Sequence, residues 1–252
     1  MRLLKVRRRV ASPQLARREN LRIGADLLPI TLKLNPRARK LIVKVHPSTG
    51  EVTVVAPSQR ALGRAMDFAR SEFDWIRKRL ARVPKPLAFT LGTRIPLRGE
   101  MHLIAPGERG RAPVSIDTSG SEPVIRVSGD PKHAPRRVLD FLKREARKTL
   151  EARAIEHAAK LGMRPSRITV RDTASRWGSC STKRALSFSW RLILAPDFVL
   201  DYVVAHEVAH MKEMNHSARF WKLARELGGD IRRPQLWLSQ NGTMLHRYAP
   251  RS

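Results

Sequence analysis

The chain has 252 residues, 42% hydrophobic and 29% charged, which is enough apolar content for a folded core in one large or two small domains. Lys and Arg number 50 against 22 Asp and Glu, and the resulting formal charge of +28 draws polyanions such as nucleic acid, ribosomes, anionic lipid or acidic protein segments. The single cysteine, Cys180, excludes an intrachain disulfide and a cysteine-rich metal site, and no window reaches the unbroken apolar length of a membrane span.

Residues 1–20 are arginine-rich and lack the apolar run and cleavage site of a secretory signal, so they are expected to form a basic mobile arm. With one reduced thiol, the expected location is cytoplasmic, although an arginine-rich, acid-poor start also suits an organellar transit peptide. From residue 28, "LPITLKL" alternates with period two, and "KLIVKVH" and "EVTVVA" flank the turn signal "PSTG" as a hairpin. "PSQRALGRAMDFARSEFDWIRKRL" then switches to helical spacing. Leu62, Ala65, Ala69, Phe73, Ile76 and Leu80 make one stripe, Ser58 is the expected cap, and "VPKP" ends the helix. Short strands follow in "FTLGTRIPLRGEMHLIA", "PVSID" and "PVIRVS". No repeat is visible in the sequence.

"SGDPKHAP" at 128–135 is the expected boundary between a β-rich domain with one helix, 21–130, and a second domain, 131–252. A long helix over 136–161 opens the second, with Gly162 at its end. "RITVRD" is expected as a strand, "TASRWGSCSTKR" as a loop and "ALSFSWRLIL" as a longer strand. "APDFVLDYVVAHEVAHMKEM" is a helix with Asp197 as its expected N-cap, and "SARFWKLAREL" is another, stopped at Gly228 and Gly229. The expected class is therefore α+β.

The chemistry concentrates in "HEVAHMKEMNH". His206 and His210 stand at i and i+4 on one helix face, so two imidazoles can reach one Zn2+ ion. Glu207 is offset and too short to join them, and it is placed to accept a proton from a metal-activated water. A catalytic site needs a third ligand. Were Asn215 to end the helix in a left-handed conformation, His216 would swing back to the ion and Ser217 would cap the next helix. Almost every other side of this helix is apolar, and a buried helix carries His, Glu and His only if metal, hydrogen bonds or a wet cleft satisfy them. An all-histidine site also suits copper, nickel or iron.

Arg176 is weighed as a cation for the tetrahedral intermediate, with packing against Trp177 or a carboxylate the stronger expectation. Trp177, Trp190 and Trp221 are expected in the core, and Cys180 as a buried inert thiol rather than an inhibitory ligand. His46, His102, His133, His157 and His246 have no partner at ligand spacing. The strand "ALSFSWRLIL" is a candidate for binding an extended peptide by strand addition, unless both its edges are paired.

"RWGSC" at 176–180, "WRLILAP" at 190–196, "DYVVAHEVAH" at 201–210 and "NHSARFW" at 215–221 together resemble the YgjP-like zinc metallopeptidases, relatives of the SprT-like proteins in the zincin group. "DWIRKRL" and "LGTRIPLRG" extend the similarity into the first half. The resemblance implies a zincin-like carboxy-terminal domain with its active-site helix packed on a small sheet. It also implies zinc on His206, His210 and His216, Glu207 as catalytic base, and a peptide or protein substrate. Ser189 stands where that family has Asn, so any role of that amide is not carried over, and no Met-turn is inferred. Two alternatives stay open beside the peptidase. One is a metal-dependent phosphohydrolase acting on nucleotides; the other is a nucleic-acid- or ribosome-binding protein with a structural metal, to which the basic surface would contribute. The oligomeric state is not specified by the sequence.

Overall fold

Two sheets of four strands share one strand order. The structure is a computed structural model, and it describes residues 14–248 except 25, 48, 109–111 and 174–175, with side chains from residue 17. The chain divides into two compact units, Met1–Val83 and Pro84–Ser252.

In the first unit, β1 (Gln14–Ile23), β2 (Asp26–Leu34), β3 (Ile42–Val45) and β4 (Val52–Ala56) lie in the order β1-β2-β4-β3. The outer pairs are antiparallel and the central β2–β4 pair is parallel. The expected arm at 1–20 is thus corrected from residue 14 on: these residues pair with β2 as an edge strand, while 1–13 lie outside the described residues. The hairpin between β3 and β4 closes where Gly50 N–H donates to the His46 carbonyl at 2.9 Å. The expected single helix is three segments, α1 (Gln59–Leu62), α2 (Ala65–Ser71) and α3 (Phe73–Leu80). Breaks occur at Arg64 and Glu72, whose backbones leave helical geometry with ψ of 1° and 10°. Ser58 does cap α1, accepting from Ala61 N–H at 3.2 Å. Ala65, Ala69 and Ile76 of the stripe bury fully against Leu21, Ile30, Leu32, Val52 and Val54.

The second unit opens with β5 (Arg94–Leu97), β6 (Glu100–Pro106), β7 (Val114–Asp117) and β8 (Val124–Val127), in the order β5-β6-β8-β7. A 3-10 turn at Pro131–His133 leads into α4 (Ala134–Lys160). The boundary expected at 128–135 therefore does not match the compact units. Ile104, Ile125 and Val127 of this sheet share one core with Val138, Phe141 and Leu142 of α4, so cutting there would split a packed layer.

Next come β9 (Arg167–Arg171), β10 (Gly178–Cys180) and β11 (Ala185–Ser189), ordered β10-β11-β9. β10 falls inside the expected loop. The expected long strand stops at Ser189, and Trp190–Leu194 coil into a 3-10 turn whose five residues are all buried. A continuous apolar run does not by itself distinguish a strand from a buried helical turn. Three helices finish the chain: α5 (Asp197–Ala209), α6 (Ala218–Gly228) and α7 (Arg232–Leu245), the last not anticipated. Asp197 is not the N-cap of α5. Pro196 holds that position, and the Asp197 carboxylate is bound by both Arg98 Nε and Nη2, at 2.8 and 2.9 Å. Among the described residues no helix is long and apolar enough to cross a membrane.

Candidate metal centre

α5 is apolar around most of its circumference, with Val199, Leu200, Val203, Val204 and Val208 buried. Such a helix is held by packing rather than by polar caps. His206 and Glu207 ride its last turn, and His210 is the first residue beyond it, still right-handed at φ −63° and ψ −17°. The helix ends there because Met211 and Lys212 N–H groups bond back three residues, to Val208 and Ala209, at 2.9 and 3.1 Å. This corrects the expected left-handed stop at Asn215: the only non-glycine residues with positive φ among those described are Arg98 and Arg184. The outcome for His216 is the same by another route. A short loop returns the chain, and Ser217 caps α6 by accepting from Phe220 N–H at 3.3 Å.

His206, His210 and His216 thereby face one another, with one candidate ligand nitrogen from each inside a 4.8 Å group. The Nε2 atoms of His206 and His216 are 3.2 Å apart. His210 spends Nδ1 on the Glu213 carbonyl, at 3.0 Å, leaving Nε2 available. Phe220 braces the cluster, its ring centre 4.9, 4.4 and 4.7 Å from the rings of His206, His210 and His216. Trp221 stacks on His216 at 5.5 Å. Burial and the two neighbouring histidines pull the His206 pKa down to about 4, so its imidazole is a neutral lone-pair donor at physiological pH. Three imidazole nitrogens converge with no carboxylate among them, and this donor set fits a divalent ion such as zinc.

Glu207 is outside that cluster and buried, and burial raises its carboxyl to about 7, opposed by the charge of Arg176. Its side chain occupies the space where Gly178 on β10 lacks one: a Cβ there would meet Glu207 Cγ at 2.5 Å and Oε1 at 2.7 Å. Neither Gly178 nor Phe220 was singled out from the sequence. A glycine beside strand-like residues marks close approach of another group, which was the available signal for the first.

The remaining candidates separate. Arg176 is exposed, and its carbonyl accepts from Thr173 Oγ1 at 2.7 Å. Cys180 is half-buried and outside the histidine cluster; burial, then the Glu207 charge, raises its pKa to about 11 and keeps it a neutral thiol. Ser189 is buried, and its Oγ makes no hydrogen bond among the described residues. Trp190 is core, whereas Trp177 and Trp221 are only partly buried. His157 is buried and bonded to Asp201 at 2.9 Å. β11 is the interior strand of its sheet, so strand addition to it is corrected: both its edges are paired, by β10 and β9.

A family model described as the YgjP-like metallopeptidase domain matches residues 39–241, well over half of the chain. No curated protein sequence matches. Among solved structures, the metallopeptidase zymogen of Pyrococcus abyssi abylysin is similar at 19% identity, covering 39% of this chain and 97% of that one with a TM-score of 0.34. A likeness that low supports no statement about this chain.

Proposed function

Because this chain belongs to the YgjP-like metallopeptidase family, we propose that it cleaves peptide bonds with a zinc ion held by His206, His210 and His216 and with Glu207 as general base. The observation that carries the proposal is the convergence of three imidazole nitrogens within 4.8 Å beside a buried carboxylate that is not one of them.

When bound, zinc supplies Lewis acidity, polarising the scissile carbonyl and making water acidic near neutral pH. The chain supplies the rest. His206 and His210 present their nitrogens from the end of one rigid helix, and Phe220 and Trp221 fix the rings, so little ordering is left to binding. Glu207 takes the proton of the attacking water and passes it to the leaving amine. A carboxyl raised to about 7 suits both transfers, since acceptor and donor forms are both accessible near neutrality. Arg176 contributes a cation to the negative charge that develops on the carbonyl oxygen. β10 is an edge strand and Gly178 on it touches Glu207, so an extended substrate adds along β10 rather than along β11.

The test is a parallel assay of a peptide library and of nucleoside triphosphates, with chelation and zinc re-addition as controls. The proposal expects zinc-dependent cleavage of peptides only. Zinc-dependent release of phosphate from nucleotides with intact peptides would replace it with the phosphohydrolase.

A further inference from the structure

The three-stranded sheet has a second free edge. β9 pairs with β11 on one side and with no strand on the other among the described residues. Alternate N–H and C=O groups of Arg167–Arg171 are therefore presented to whatever lies beside them. Beside the start of this strand, the last turns of α4 and the turn after it form a groove of about 740 Å³, lined by Ile155, Ala159, Met163, Arg164, Pro165 and Ile168. Ile155 is 59% exposed at its rim, an aliphatic side chain left in water. Arg164 lines the groove, and Arg167 and Arg171 stand on the other face of β9 from Ile168; none of the three has an ion pair among the described residues. Glu151, also at the groove, is engaged with Arg147 at 3.4 Å, so the unmatched charge there is positive.

We propose that β9 and this groove dock an extended acidic segment of another protein, which adds to the sheet as a further strand. Each feature answers a different part of such a segment. The strand edge takes its backbone, the groove takes its aliphatic side chains, and the arginines take its carboxylates, for which a guanidinium offers paired donors. Charge argues against the other occupants. Residues 1–13 carry five Arg and Lys and no acid, so this chain's own beginning is repelled. A second copy brings a net charge of +28 to a basic surface. A nucleic acid would use the arginines and leave the apolar groove and the strand edge unsatisfied. The inference is independent of the peptidase proposal, because β9 is at the opposite edge of the sheet from β10.

The experiment uses the full chain carrying Glu207→Gln, so that no probe is cut, and fluorescence anisotropy of a labelled peptide alternating valine and glutamate. The peptide binds saturably. Ile155→Glu and Arg167→Glu each weaken binding by roughly tenfold or more with unchanged circular dichroism, as does N-methylation of alternate peptide amides. Should Ile155→Glu fail to fold, Arg167→Glu on the exposed strand decides alone. The proposal is overturned if a valine–lysine peptide binds as well, or if neither variant changes affinity. It also falls if a single-stranded oligonucleotide binds and the acidic peptide does not.

Discussion

The two units build the same four-stranded sheet, antiparallel on the outside and parallel at the centre, in orders β1-β2-β4-β3 and β5-β6-β8-β7. In each, helix follows the fourth strand. In the first unit that helix is broken at Arg64 and Glu72, and its buried residues close a core made only with its own sheet. In the second it runs 27 residues without a break. Val138 and Phe141 sit in the core with Ile125 and Val127 of the sheet, while Leu150, Ala154 and Ala158 continue the same core alongside Val203, Val204 and Val208 of α5. Small alanines at 146, 154 and 158 allow close approach of that helix. The comparison teaches that one topology serves as a self-contained body and as a supporting wall. What changes is whether the helix is long enough to carry packing from the sheet to the helix that holds the histidines.

Breaking the wall's cargo should give the largest effect. His206→Ala removes a ligand from the cluster, and zinc content and peptide hydrolysis should fall together to the background of chelated protein. The first unit's protection from proteolysis should not change. Plasma emission spectrometry and limited proteolysis read the two.

Core cavities sharpen the comparison next. Leu150→Ala and Ile76→Ala each empty a fully buried site, and each should cost about 2–5 kcal/mol in denaturant unfolding of its own unit. Only Leu150→Ala should also weaken zinc retention, since Leu150 shares a core with α5 and Ile76 belongs to a separate cluster. Equal zinc loss in both variants would mean the two bodies are energetically one.

The smaller effect belongs to Gly178→Ala. Its Cβ falls 2.5 Å from Glu207 Cγ, so the carboxylate has to move, while the histidines are untouched. Turnover should drop about ten- to a hundredfold at constant zinc content, the usual penalty for misplacing a catalytic group by about an ångström. Stopped assays beside metal analysis separate this from a folding defect.

Much of the site was legible because it is local. His206 and His210 sit one helical turn apart, Glu207 is adjacent, and Ser217 has the chemistry of an N-cap; all four are read from spacing. The strand alternation in 28–56 and the boundaries of α4 were legible for the same reason. What was not legible depends on partners distant in sequence. Gly178 matters only because Glu207 arrives beside it, and Phe220 only because three histidines gather around its ring. Asp197 has the chemistry of a cap, yet Arg98, distant in sequence, takes its carboxylate. Trp190–Leu194 has the composition of a strand, but full burial lets it coil. The break at Glu72 lies inside an unbroken helical pattern, so no local signal marks it. The repeated strand order is carried by backbone pairing with no matching repeat in the residues.

The most direct test compares wild type with Glu207→Gln in one preparation, measuring zinc by emission spectrometry and peptide cleavage by mass spectrometry. Glutamine keeps the shape of the side chain and cannot accept the proton. The account predicts one zinc ion per chain in both proteins, and cleavage lowered roughly a hundred- to ten-thousandfold in the variant. Full zinc with wild-type cleavage in Glu207→Gln would contradict it.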